Sequence, residues 1–186
     1  MYSTRSSLLF RVRNLEDGPS WDEFAEVYYP FLEGITRRAG IPVPDAQDIV
    51  QDLFVSLLHA LPEFEYASTR GRFRGWLRQV VRNRIVDWYR NRSRREQSLA
   101  ELNWLAEDTP DFEQEHRHHV VRHVLGKVRE ESQPLTWNCF ERHVLEMSPA
   151  QDVAEELGVS VNAVYVNSSR TLARVRTRCA EYGGDL

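Results

Sequence analysis

The chain has 186 residues, 41 % of them hydrophobic and 28 % charged, with a formal net charge of −4. That length suits one ordinary domain or two small ones, and the balance of apolar and charged residues excludes a disordered or fibrous chain. No apolar run approaches the roughly 18 residues needed to span a bilayer. Near the N-terminus Arg11 and Arg13 interrupt the short patch Leu8, Leu9, Phe10 and Val12, so this patch does not read as a signal-peptide core. A cytoplasmic location without membrane insertion is the expectation. Cys139 and Cys179 lie far apart with no CxxC spacing. That argues against a disulfide framework or a zinc ribbon and for two small buried hydrophobes.

Helical periodicity starts near Ser20. Trp21, Phe24, Tyr28, Phe31 and Ile35 fall on one face, and Ser20 with Glu23 has the spacing of a capping box. Pro30 removes one internal hydrogen bond and is expected to bend this helix, which Gly40 and Pro42 end. A second helix is expected from about Pro44–Asp45 to Pro62, burying Ala46, Ile49, Val50, Leu53, Leu57 and Leu61. Asp45, Asp48, Gln51 and Asp52 form a polar, acidic face on its first two turns. Acids there also suit the helix dipole, so the same face can be read as merely solvated.

Residues 63–71 read as a loop. A third long helix follows, with Phe73, Leu77, Val80, Val81, Ile85 and Trp88 as its buried stripe. The run from Arg70 to Arg95 holds ten arginines against the single acid Asp87, a local charge of +9 in an acidic protein. Phe73, Trp76, Trp88 and Tyr89 are threaded through it. Guanidinium groups grip phosphates and aromatic rings stack on unpaired bases, so the run is read as a platform for single-stranded nucleic acid. Phe73 and Trp88 are expected in the core, and Trp76 is open between core and base stacking.

Residues 96–111 turn polar and acidic and suit a linker. Helix resumes near Phe112 and runs towards Glu131, Pro134 breaks it, and a helix over Thr136–Met147 comes next. In SPAQDVAEELGVSVNAVYVNSSRTLARVRTR, residues 148–178, Ser148 can cap a short helix with Pro149 at its first position. Val153, Ala154 and Leu157 are its inner side. Gly158 opens a tight turn, and Ser160 caps a second helix with Val161, Val164 and Leu172 inward. Ala154, Gly158 and Val164 have the spacing of a helix-turn-helix, with a plain helical hairpin as the simpler reading. A second helix of that kind lies in a DNA major groove. Ser160, Asn162, Ala163, Tyr165, Val166 and Ser169 would then reach base edges or backbone, and Arg170, Arg174, Arg176 and Arg178 would meet phosphates.

The order of these parts resembles the small extracytoplasmic-function kind of sigma factor in the sigma-70 family of bacterial RNA polymerase. DAQDIVQDLF, residues 45–54, resembles that family's polymerase-binding helix, and FRGWLRQVVRNRIVDWYR, residues 73–90, its helix for the −10 promoter element. Residues 148–178 resemble its helix-turn-helix for the −35 element. The resemblance implies an all-α fold of two helical domains, with residues 1–95 for core polymerase and the −10 element, a linker over 96–111, and residues 112–186 for the −35 element. By the same resemblance, Asp45, Asp48, Gln51, Asp52 and Phe54 bind polymerase. Arg70, Arg72, Arg74, Trp76, Arg78, Arg82, Asn83 and Arg90 meet the single-stranded −10 element. Ser160, Asn162, Ala163, Tyr165, Val166, Ser169, Arg170 and Arg174 meet the −35 duplex. The implied partners are core RNA polymerase, through the clamp and flap of its large subunits, and promoter DNA, with room for an anti-sigma factor. Gln47 stands where the family often has an acid, and Tyr165-Val166-Asn167 where basic residues are usual.

Two rivals remain in view. A stand-alone helix-turn-helix regulator leaves the basic helix of the first domain unexplained. A metal enzyme would use His116, His119 and His123, with His118 adjacent, since their spacing can place imidazoles round one ion. No glutamate sits between them as in HExxH, and a solvated or inter-domain helix face is the preferred reading. Nothing resembles a nucleophile with its base or a phosphate-cradling glycine loop, so neither catalysis nor a cofactor is expected.

Overall fold

The computed structural model describes residues 8–62, 71–93 and 110–182, and all regular structure among them is helical. Two compact units divide the chain, Met1–His119 and Val120–Leu186. The first contains α1 (Leu8–Arg11), α2 (Gly18–Arg38), α3 (Val43–Ala60), α4 (Gly71–Ser93) and the N-terminal part of α5 (Pro110–Glu130). The second contains the remainder of α5, α6 (Pro134–Phe140), a π-helical turn (Glu141–Leu145), α7 (Ala150–Leu157) and α8 (Val161–Glu181). Residues 112–119, grouped with the second domain in the sequence reading, fall in the first unit. Most of the segment read as a linker lies outside the described residues.

In the first unit α2 packs on α3, and α4 packs on both. Phe24 and Tyr28, one turn apart on α2, stack with ring centroids 4.3 Å apart. Phe73 of α4 meets them edge-on at 6.5 and 5.8 Å, and Phe54 of α3 meets Phe24 at 5.9 Å. The start of α5 closes another side, where Phe112 lies 5.4 Å and His116 5.3 Å from the Phe31 ring. All six expected inward residues of α3 are buried. The N-terminal patch, considered above only as a targeting signal, folds as α1, burying Leu8 and Leu9 with Val12 just beyond it.

The start of α2 differs from expectation. Pro19 suits a first turn because that turn has no use for its missing N–H. The helix therefore begins at Gly18, and Asp17 is the cap, its carboxylate accepting from the Ser20 N–H at 3.2 Å. Ser20 donates its hydroxyl to Asp17 at 2.7 Å, and Glu23 pairs with Arg11 at 2.8 Å instead of closing a capping box. The helix runs unbroken through Pro30, on an exposed position. It ends at Gly40, where φ is +80°. A Cβ there would lie 3.1 Å from the Tyr89 hydroxyl, which donates to the Ala39 carbonyl and ties α4 to the end of α2.

The second unit closes round Cys139, Ala150, Val153, Ala154 and Val164. The helix expected over Thr136–Met147 changes character at Glu141, where the backbone widens into a π turn, and Met147 leaves it at φ +57°. Ser168 of α8 donates to the Cys139 carbonyl at 3.1 Å just before that turn. Pro149, not Ser148, precedes the first residue of α7 and supplies no side-chain cap. Both cysteines are buried, and burial pushes the Cys179 thiol up to about 11.

His116 is not on a solvated face. It is only 1 % exposed, with Nε2 3.3 Å from the Tyr28 hydroxyl and Nδ1 without a partner. Burial first, then the nearby charges of Arg74 and His119, hold its pKa down to about 3. The unfolded chain therefore binds a proton that the folded chain refuses between about pH 6.5 and 3. The stabilising contribution is complete above pH 6.5 and is lost as pH falls through that window, at up to about 1.4 kcal/mol per pH unit. His116→Phe should flatten this part of the pH dependence of urea unfolding. Equal slopes for the two proteins between pH 6.5 and 5 would contradict the assignment.

Candidate nucleic-acid interface

On α4, Phe73, Leu77, Val81 and Ile85 are buried at helical spacing, while Val80 and Trp88 are only half-buried. The arginines then divide by their distance from this stripe. Arg74 is 13 % exposed and pairs with Glu113 of α5 at 2.9 Å, while its Nε is buried with no partner. Arg78, Arg82 and Arg84 are half-buried, and Arg84 donates to the Ser56 hydroxyl at 3.1 Å. Gln79, Asn83, Arg90 and Arg92 are exposed, and Gln79 donates to Asn83 at 2.8 Å. Arg90 is 3.9 Å from Asp87. Arg92 lies over the Trp88 ring at 4.9 Å and reaches Asp45 at 3.8 Å. Trp76 is half-buried, its ring 5.8 Å from Phe73. Arg70, Arg94 and Arg95 are outside the described residues, and of Arg72 only its place in α4 is described.

The acidic face of α3 carries Asp48, Gln51 and Asp52 exposed, with Gln47 beside them and Asp45 half-buried. Phe54 is half-buried, packed against the rings of Phe24 and Tyr29. Val55 and Leu58 are exposed and extend the Asp48 stripe by one and two further turns. Charge alone does not mark these two apolar positions. Three- and four-residue spacing from Asp48 and Asp52 was the available signal.

The helix-turn-helix geometry is explicit in the second unit. Gly158 takes φ +65°, and the Val159 N–H donates back to the Ala154 carbonyl at 3.0 Å, which stops α7. Ser160 then caps α8 by accepting from the Ala163 N–H at 3.2 Å. Val164 is fully buried, Leu172 half-buried, and Val161, expected inward, is 38 % exposed. Ser160, Asn162, Tyr165, Val166, Ser169 and Arg170 are exposed and Ala163 is half-buried. Tyr165 meets the His143 ring edge-on at 5.3 Å. His143 in turn lies with Nδ1 2.9 Å from the Ser148 carbonyl, which requires the proton on that nitrogen. Arg174 and Arg178 converge on Glu131 at 3.1 and 2.7 Å, and Arg174 and Arg176 are both exposed.

The histidines of α5 find separate partners. His119 donates from Nε2 to the Val27 carbonyl at 2.7 Å, His123 packs 5.7 Å from the Tyr182 ring, and His118 is exposed. Among the described residues no group of three or more His, Cys, Asp or Glu side chains is placed to hold a metal ion.

An arginine-rich helix and a capped helix-turn-helix suit a protein that binds nucleic acid, and comparison with known proteins narrows this. The sigma-70 region 2 family model matches residues 24–95. RNA polymerase sigma factor CnrH of Cupriavidus metallidurans is 32 % identical over 156 residues, covering 77 % of this chain and 78 % of that protein. RNA polymerase sigma factor NccH of Alcaligenes xylosoxydans xylosoxydans is 29 % identical over 148 residues, with the same 77 % and 78 % coverage. ECF RNA polymerase sigma factor SigE of Mycolicibacterium smegmatis is 29 % identical over 76 residues, or 41 % of this chain and 28 % of that one. The chain belongs to the extracytoplasmic-function sigma factors of the sigma-70 family. It directs transcription initiation at promoters, with core RNA polymerase and promoter DNA as partners, and the stand-alone regulator is not favoured.

Arg74 and Arg82 should separate in their effect on folding. Arg74→Ala removes a mostly buried side chain and its ion pair and should cost about 1 kcal/mol. Arg82→Ala, further out on the same helix, should leave the unfolding free energy within about 0.5 kcal/mol of the parent. Chemical denaturation checks both, and equal losses would contradict the division of the arginines drawn above.

Proposed function

We propose that three faces divide the work of initiation. The exposed stripe of α3 with Asp48, Gln51 and Asp52 docks core polymerase at the clamp, with Asp45 and Phe54 at its margins. The outer face of α4, with Arg78, Arg82, Asn83 and Arg90, tracks the single-stranded −10 element, assisted by Arg70, Arg72 and Trp76. Arg74 joins this set only at the cost of its pairing with Glu113. The first turns of α8 read the −35 duplex from Ser160 to Arg170, in a domain held near the polymerase flap, with Arg174 at the phosphate edge. Residues 1–95 and 112–186 are the functional divisions, and residues 96–111 join them. The observation that carries the reading is the segregation of charge in the first unit. Carboxylates crowd the exposed side of α3, while arginines line α4 next to it in the fold.

Energetics favour a factor that acts with a partner. Opening on the order of ten base pairs at about 1.4 kcal/mol per step costs roughly 14 kcal/mol. A stacked base returns only about 1–3 kcal/mol. One helix captures bases that leave the stack but does not hold a bubble open alone. An anti-sigma factor would act by covering the α3 stripe or α8. No described helix is long and apolar enough to cross a membrane, and cytoplasmic action on polymerase is the natural setting.

Asp48→Arg with Asp52→Arg should abolish co-purification with core enzyme while the circular dichroism spectrum stays unchanged, both positions being exposed. Undiminished co-purification would remove α3 from the dock. Arg78→Ala with Arg82→Ala should retain polymerase binding but block opening of matched promoters. A template already mismatched across the −10 region should partly restore opening, because the unpairing cost of a few kcal/mol per flipped base is gone. Permanganate reactivity of bubble thymines reads the outcome, and normal opening by the double variant would make α4 a solvated face only.

A further inference from the structure

The reading surface of α8 has an unusual composition for a groove-binding helix. Its first nine residues, Val161 to Ser169, carry no charge, and Arg170 is the first ionised side chain along it. At 1.5 Å per residue the Arg170 Cα lies roughly 13 Å along the axis from that of Val161. Helical spacing puts Tyr165, Ser169, Asn162 and Val166 on a single outward arc, opposite the buried Val164, Ser168 and Thr171. Tyr165 is 53 % exposed and Val166 36 % exposed, although both are apolar surfaces next to a capped helix start. Exposed arginines, Arg170 and Arg176, flank the arc further along the helix, where phosphate contacts would fall.

Base edges in the major groove are chemically distinct. Guanine offers two acceptors that arginine or lysine meets in pairs, adenine offers a donor and an acceptor that suit Asn, and thymine alone offers a methyl group. The arc lacks the guanine partner, holds one Asn and ends in apolar surface. We propose that α8 reads thymine methyl groups through Val166 and Tyr165 and an adjacent adenine through Asn162, so that the duplex step beneath its N-terminal half is A·T. Tyr165 is held for this by the edge of His143, whose own orientation is set by the Ser148 carbonyl. This rests on the reading of α8 as the −35 reader and names its ligand class.

Reconstituted holoenzyme, with the full chain and core polymerase, would select duplexes from a pool randomised upstream of a fixed −10 region. The selected element should contain consecutive A·T pairs at the position protected by α8. Replacing its thymines one at a time by deoxyuridine deletes only the methyl group and should weaken binding about fourfold at each contacted position. Val166→Ser should abolish the sensitivity at one such position, and Asn162→Ala should relax the choice of adenine while leaving the methyl effect in place. An element selected for guanine at these positions, or one indifferent to deoxyuridine, would overturn the methyl-reading proposal while leaving duplex recognition by α8 intact. Selection of no upstream element at all would overturn both, and would reassign the apolar arc to contact with protein.

Discussion

Stacking of Phe24 on Tyr28 is the contact on which the first unit depends. These rings lie at the junction of α2 with α3 and α4, and Phe73 and Phe54 meet them edge-on. Aromatic rings bury large areas and hold preferred angles, so such a cluster fixes helix rotation as well as spacing. Once Phe73 is seated, helical geometry sends Leu77, Val81 and Ile85 inward and turns Asn83 and Arg90 outward. Once Leu53 and Leu57 are seated, Asp48 and Asp52 must face solvent. The separation of an acidic helix face from a basic one is thus a consequence of where the apolar residues fall. The second unit depends on a different constraint, the left-handed turn at Gly158, which sets α8 off from α7 and leaves its N-terminal side chains uncovered.

An acidic protein that binds DNA must keep its carboxylates away from the phosphates. Several acids here are instead spent on internal pairing, Glu113 with Arg74, Glu115 with Arg38 and Glu131 with Arg174 and Arg178. Pairs of this kind at partly exposed positions contribute little stability, typically under about 1 kcal/mol each. Their larger effect is on which cations remain on the outer surface. Arg82, Arg90, Arg170 and Arg176 keep exposed or half-exposed positions, while Arg74 and Arg178 are drawn towards the body of their units.

Much of this was legible in the sequence because it depends on spacing. The inward residues of α3, the stripe on α4, the turn at Gly158 and the cap at Ser160 all follow from neighbours within a few positions. Failures came where a distant residue or an end effect decides. Asp17 displaced Ser20 as cap because Pro19 draws the helix start forward. Val161 faces out because it opens α8, a turn before Val164 enters the core. His116 looked like part of a polar helix face, yet Tyr28 and Phe31, far away in sequence, enclose it. Its neutral imidazole is the feature that local pattern had no means to reveal. The pairing of Arg74 with Glu113 lay beyond the same limit, since periodicity orders residues round one helix but says nothing of what packs against it.

Promoter-directed initiation by this chain with core polymerase is the central claim. Run-off transcription with purified core enzyme tests that claim most directly, using a duplex carrying the upstream element that the holoenzyme selects. Discrete transcripts from one start site should appear only when the chain is present, and should vanish when that element is scrambled. Tight binding of the chain alone to the duplex, with no transcript in the presence of core enzyme, would contradict it.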